Sequence, residues 1–315
     1  MGTIVLMRVV LVALYLRGGP AIPRVSRRNW RSIWRLLKRE VCLPSEAEDV
    51  LRAHGYRDEA AALSAFGRLE WAGQVMEANL ALTVDDPEYP RRWETVLGDG
   101  APPALWSAGA LTRLPYVAIV GSRDISPVLA AGVRVVAERL TGGGFTVISG
   151  GARGVDRAAR GAGTVEILPF GLPLSCDASA NCGPGRNSML DFKVTRQTGG
   201  PQGPLLSLCT PGEAFSRAAA MERNTLIYAA AEVAYVAHAR LLEGGSWHGA
   251  VNALRRRLCP VLVGPCPAAR ALQSLGAYLV ESPEQVVAFA KNPPQERHLW
   301  SCFDGAVASG ALSEP

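Results

Sequence analysis

No Cys-x-x-Cys pair occurs among the seven cysteines of this chain, and their odd number supports neither a disulfide framework nor a zinc ribbon. Reduced, mostly buried thiols follow as the default. Cys176 and Cys182 flank a polar loop and are the one pair placed to share a metal, but no further ligand stands at suitable spacing. The Gly-x-x-x-x-Gly-Lys-Ser/Thr loop of P-loop ATPases is missing, as are the strict Gly-x-Gly-x-x-Gly dinucleotide fingerprint and the His-x-Glu with Pro-Cys-x-x-Cys set of zinc deaminases. No cofactor is therefore expected. Long hydrophobic runs are scarce too. Ile4 to Leu16 is apolar except for Arg8, is too short to span a bilayer, and leads into Arg17-Gly-Gly-Pro without a small-x-small cleavage pattern. The reading taken is the first helix of a small helical domain in a cytoplasmic protein with no membrane partner; a secretory segment or membrane anchor is the alternative.

What is present is a composition for a packed core. With 315 residues and 48% hydrophobic content, the chain can bury one sizeable core and carry a smaller appended domain. Its 33 glycines and 22 prolines point to many tight turns, because so apolar a chain does not stay disordered. The net charge of +5 is mild and gains meaning from its distribution. Eight Lys or Arg residues lie between Arg17 and Arg39, with no acid among them. Trp30, Ile33, Trp34 and Leu37 fall at the spacing of one helical face, while Arg27, Arg28, Arg31, Arg35, Lys38 and Arg39 take the other faces. Two readings stand: a core-facing helix with a solvated charged surface, or an auxiliary patch for nucleic-acid backbone.

Helical spacing continues from Glu46 to Leu80, and the prolines of Asp85-Asp86-Pro87-Glu88-Tyr89-Pro90 then forbid a helix. The organisation expected is a helical accessory domain over 1–82, an α/β domain over 83–290 and a flexible tail over 291–315. Beyond Pro115, apolar runs recur at Tyr116–Val120, Thr146–Ser149, Val165–Phe170, Leu205–Leu208, Val233–Ala237, Val261–Val263 and Tyr278–Val280. Between the first two, Ser126-Pro127 starts a helix, Leu129, Val133, Val136 and Leu140 form its apolar stripe, and Gly142-Gly143-Gly144 ends it. Such alternation predicts an α/β fold with a parallel sheet covered on both faces.

Ligands of such sheets sit at the carboxyl ends of the strands. Four loops are expected there: Gly121-Ser122-Arg123, Ser149-Gly150-Gly151-Ala152-Arg153-Gly154, the pair Arg223-Asn224 at the front of a helix running to Ala230, and Gly244-Gly245-Ser246 opening a helix over Trp247–Arg257. They offer backbone donors, hydroxyls and guanidiniums, with no evident nucleophile–base pair. That is chemistry for binding a phosphodiester. Arg123 and Arg223 read either as phosphate contacts or as structural ion-pair partners. Asp156 reads as a cap of the following helix or as an acid–base group, and Trp247 as core packing or, with His248, as a base-stacking platform.

The ordered set Asp86-Pro-Glu-Tyr-Pro90, Pro102-Pro103-Ala-Leu-Trp106, Gly109, Val117-Ala-Ile-Val-Gly-Ser-Arg123 and Ser149-Gly-Gly-Ala-Arg-Gly-Val-Asp156 resembles the DNA-processing protein DprA/Smf family. The onward pattern, Phe215, Arg223-Asn224-Thr-Leu-Ile227 and Gly244-Gly-Ser-Trp-His-Gly-Ala250, is similar as well. The resemblance implies an extended Rossmann-like domain that binds single-stranded DNA, usually as a homodimer, and hands it to a RecA-type recombinase in natural transformation, without being an enzyme. It places Ser122, Arg123, Gly151, Arg153 and Arg223-Asn224 where the family holds the DNA backbone. This chain departs from the family pattern at Ala159-Arg160, at Ser207-Leu208, in the Gly171 to Gly203 stretch and at Gly-Gly-Ser-Trp. The alternative within the superfamily is a nucleotide sensor or a phosphoribohydrolase of the cytokinin-activating type. Aligned on Gly244-Gly245, however, Val251 stands where that enzyme needs a carboxylate.

Overall fold

The computed structural model describes residues 2–21, 25–41, 43–112, 115–161, 163–176, 192–194 and 203–294. By its internal contacts the chain divides into two units: Met1–Gly109 with Pro169–Gly200 and Leu205–Ser216, and Ala110–Leu168 with Pro201–Pro204 and Arg217–Pro315. In chain order the first unit opens with α1 (Gly2–Tyr15), α2 (Trp30–Glu40), α3 (Ala47–Ala53), α4 (Arg57–Leu63), α5 (Arg68–Glu77), β1 (Ala81–Thr83), α6 (Arg91–Leu97) and β2 (Ala104–Ala108). The second supplies β3 (Tyr116–Gly121), α7 (Pro127–Gly142), β4 (Thr146–Ser149), α8 (Val155–Ala158) and β5 (Val165–Leu168). The chain then returns to the first unit for β6 (Leu174–Cys176), β7 (Phe192–Val194) and β8 (Leu205–Ser207). It ends in the second with α9 (Arg217–Ala230), β9 (Ala231–His238), α10 (Gly244–Arg255), β10 (Val261–Val263), α11 (Ala269–Ser274), β11 (Tyr278–Leu279) and α12 (Pro283–Lys291).

In the first unit, α2 buries Trp30, Ile33, Trp34 and Leu37, the face that the spacing selects. Part of its positive charge is met internally. Lys38 Nζ and Trp34 Nε1 donate to the same oxygen of Asp85 at 2.8 and 3.1 Å, and Arg31 donates to the Glu94 carbonyl at 2.7 Å. Asp86 pairs with Arg8 and accepts from the Thr83 backbone at 2.7 Å. The proline-rich turn thus fastens α1 and α2 to β1. Arg68, 1% exposed, donates to the carbonyls of Ala13 (2.7 Å) and Leu16 (2.9 Å) and lies 4.1 Å above the Trp71 ring, closing the C-terminal end of α1. The strands here are antiparallel, β1 on β2 and β2 on β8, with β6 and β7 as a separate pair. Periodicity did not announce the three-residue β1, which is too short to show alternation. Cys176 has its backbone in β6, and Cys182 lies outside the described residues.

The second unit is the expected α/β fold. Its parallel strands stand in the order β5-β4-β3-β9-β10-β11. Ser126 caps α7 by accepting from the Leu129 amide at 3.2 Å, and Pro127 holds the first turn. Val133, Val136, Ala137 and Leu140 of α7 and Val286 and Ala290 of α12 bury against Val117, Ile119, Val147, Val233 and Leu262 of the sheet. Helices α9 and α10 pack on each other, with α9 against β3 and β5 and α10 against β9 and β10. Most strand and helix ends shift by one to three residues from the sequence reading, and two shifts bear on the site. Strand β5 stops at Leu168, and α9 begins at Arg217, so Arg223-Asn224 lies in the middle of the helix and not at its front. Successive strands step outward from β3 on one side and from β9 on the other. The carboxyl ends of β3 and β9 therefore border the switch point where open α/β sheets hold their ligands. Residues 295–315 of the expected tail lie outside the described residues.

Candidate nucleic-acid interface

The crest after β3 is built by close approach. A Cβ on Gly121 would meet Val155 Cγ2 at 2.5 Å and the His238 carbonyl at 3.0 Å, so only glycine lets β9 and α8 come this near. The Ser122 amide donates to the His238 carbonyl at 3.0 Å, and the Ser122 carbonyl accepts from the Val155 amide at 3.1 Å. These bonds turn the chain so that Arg123 is exposed.

The second crest, after β4, is held from below. Gly151 and Gly154 take left-handed φ values of +68° and +78°, and a side chain on Gly154 would collide with the Ser122 and Arg123 backbone. Asp156, 4% exposed, accepts from the Ala152 amide at 3.2 Å across the loop. It is thus a loop brace inside α8, where the sequence offered a helix cap or an acid–base group. Burial pushes its carboxyl up to about 6, against the Arg223 charge and the Ala152 hydrogen bond, which both lower it.

Arg223 is 7% exposed, with Nη1 3.9 Å from Asp156 Oδ2. A side chain on Gly150 would fall on its guanidinium, so Arg223 fills the space under the loop. Of its two readings, this geometry is that of the ion pair. Burial also lowers its basicity, partly offset by Asp156. Glu166, 1% exposed, pairs with Arg160, whose Nη2 reaches the Gly151 carbonyl at 3.3 Å. Arg160, a departure from the family pattern, is thereby a second brace of the same loop.

Asn224 Nδ2 donates to the Gly245 carbonyl at 3.4 Å, joining α9 to the start of α10. Ser246 is half-buried, Trp247 is 7% exposed and in the core as the packing reading had it, and His248 is exposed. The structure therefore brings Gly121, Ser122, Ser149, Gly150, Gly151, Gly154 and Arg223 together around the two crests, with Ser149, Gly150 and Arg223 buried beneath them, and joins Asn224 to Gly245 at the start of α10. Arg153 stands exposed on the second crest, and Gly245 and Ser246 mark the first turn of α10.

One pairing escaped the sequence. His238, the last residue of β9, places Nδ1 2.8 Å from Ser122 Oγ. The expectation that no serine–base pair exists is corrected by this contact, which joins residues 116 positions apart through the β3–β9 register of Gly121 with His238. Burial, and then the Arg240 charge, lower the basicity of His238. Glycine-lined amides, a hydroxyl and exposed guanidiniums at a switch point can hold anionic oxygens.

Residues 80–291 match the family described as DNA recombination-mediator protein A. The chain belongs to that family. A curated relative, Protein Smf of Synechocystis sp., is 35% identical over 106 residues, a stretch covering 30% of this chain and 26% of that protein. The chain is thus matched to about a quarter of that relative's length. Among solved structures, the DNA processing protein A of Streptococcus pneumoniae shares the fold with a TM-score of 0.61 at 22% identity, over 91% of this chain and 98% of that one. The Helicobacter pylori protein, described for its single-stranded DNA binding mode, gives 0.52 at 20% identity over 68% and 97%. Among the described residues of this family member no helix is long and apolar enough to cross a membrane, and no cluster of His, Cys, Asp or Glu is arranged to hold a metal ion.

Proposed function

We propose that this chain binds single-stranded DNA along the carboxyl edge of β3 and β4 and the start of α10, and delivers it to a RecA-type recombinase. In this reading residues 83–290 carry the DNA, residues 1–82 form the helical accessory domain, the working form is a homodimer, and no bond of the DNA is broken. Support comes from one observation above the rest: two adjacent glycine crests, the first of them bordering the switch point, carry exposed Arg123 and Arg153, in a member of a recombination-mediator family. Gly151, Gly154, Gly245 and Ser246 supply amides and a hydroxyl for phosphate oxygens, Gly121, Ser122 and the buried Ser149 and Gly150 shape the crests from within, and Asn224 holds the α10 turn in place. Arg223 acts from beneath as the charge that keeps the second crest in shape.

The test is a filter-binding titration with single- and double-stranded oligonucleotides at several salt concentrations. Single strands should bind more tightly. Arg123→Ala should weaken binding and lower the slope of log affinity against log salt by about 0.7, the value for one single-strand phosphate contact. Unchanged affinity and slope would remove the trough. A nucleotide-binding reading draws on the same switch point; it predicts base release from a nucleoside monophosphate, or saturable mononucleotide binding with little salt dependence.

A further inference from the structure

His238 stands at the switch point with half of its ring committed and half open. Nδ1 is held by Ser122 Oγ at 2.8 Å, and the same hydroxyl lies 3.3 Å from the His238 carbonyl. The ring is half-buried, and Nδ1 carries its one hydrogen bond among the described residues, which leaves Nε2 for a ligand. With the Ser122 hydroxyl donating to Nδ1, the proton of the neutral ring sits on Nε2. When the ring is protonated, Nδ1–H donates to Ser122 Oγ and the hydroxyl turns to the His238 carbonyl. The pair satisfies both charge states without stranding a polar atom, and Nε2 is a donor in each.

We propose that His238 is a phosphate-contacting residue of the DNA trough, its Nε2–H donating to a non-bridging oxygen of the bound single strand while Ser122 fixes the ring. This rests on the DNA-binding reading above. A phosphate beside Nε2 favours the imidazolium, so binding of the strand draws a proton from solvent. In the free protein burial, and then the charge of Arg240, itself 3.7 Å from Asp124 and 3.9 Å from Glu243, shift the ring towards its neutral form. The other charged groups around this crest are Arg123 on the β3 loop, Asp156 on α8 and Arg223 on α9. Asp156 titrates in the same range and, once protonated, leaves the Arg223 charge uncompensated, which also favours an anion. A comparison that leaves Asp156 in place therefore isolates the histidine.

The experiment follows the anisotropy of a labelled thymidine oligonucleotide from about pH 8 to about pH 5.5 at fixed salt. It uses the full chain as wild type, His238→Gln and Arg123→Ala. Glutamine keeps an N–H donor near the Nε2 position but cannot titrate. Wild type should tighten on acidification by about tenfold more than His238→Gln, the equivalent of one pKa unit raised on binding. Superimposable pH profiles of wild type and His238→Gln, with Arg123→Ala still weakening binding, overturn the role of His238 and leave the trough standing. No loss in Arg123→Ala overturns the trough and the His238 proposal with it.

Discussion

Among single residues, the arginines divide by burial. Arg123 is exposed and Arg223 is enclosed beside Asp156, so equal-looking substitutions should read out differently. Arg223→Ala should cost roughly 3–5 kcal/mol in chemical denaturation, because it leaves a buried carboxylate without its counter-charge. Arg123→Ala should stay within about 0.5 kcal/mol of wild type while losing DNA affinity. Asp156 gives a pH signature. Its folded-state carboxyl is raised to about 6, so between that pH and the ordinary carboxylate range the folded protein binds a proton that the unfolded chain does not. This group's contribution to stability therefore rises as pH falls through 6, opposite to the usual ion-paired carboxylate. Asp156→Asn should abolish that rise in denaturation midpoints collected from neutral to mildly acidic pH. The sequence favours phosphate contact for both arginines over an ion pair, and only the fold shows that Arg223 is enclosed, since burial is not a property of a residue and its neighbours in the chain.

Elements were the most legible scale. The α7 stripe, its Ser126-Pro127 start and its glycine end all arise from local backbone preferences, and each appears where those preferences put it. Strands β4 and β10 match their apolar runs residue for residue. The antiparallel β1 and β2 show no alternation, β1 because it has three residues and β2 because all of its five are buried. Loop geometry after β4 yields a sharp prediction. Gly150 has ordinary φ, so its identity is set by space alone: Gly150→Ala should displace the Arg223 guanidinium and destabilise by about 1–3 kcal/mol, the range for overpacking. A thermal melt checks it. Combined with Arg223→Ala, the added cost of Gly150→Ala should fall but not vanish, because Asp156 Oδ2 would still lie 2.8 Å from the new Cβ.

For the whole molecule, the positive charge is mild, +5 in 315 residues, and much of the basic α2 is engaged by acids and carbonyls of its own unit. Affinity for DNA should accordingly come from a few phosphate contacts in the second unit. Removing the exposed Arg28 and Arg35 of the α2 segment together, as Arg28→Ala/Arg35→Ala, should change the salt slope for single strands far less than Arg123→Ala alone. A slope lowered by about 1.4, two phosphate contacts at 0.7 each, would instead make that segment part of the binding surface. By itself the sequence determined where strands end in glycine, where helices begin and which residue types gather at the ligand-facing edge, because periodicity, capping and glycine geometry are short-range. Only the tertiary structure decided that Arg223 lies beneath the loop against Asp156 and that His238 meets Ser122. Those contacts join segments 67 and 116 positions apart, and parallel pairing about a switch point, a long-range event, brings them together.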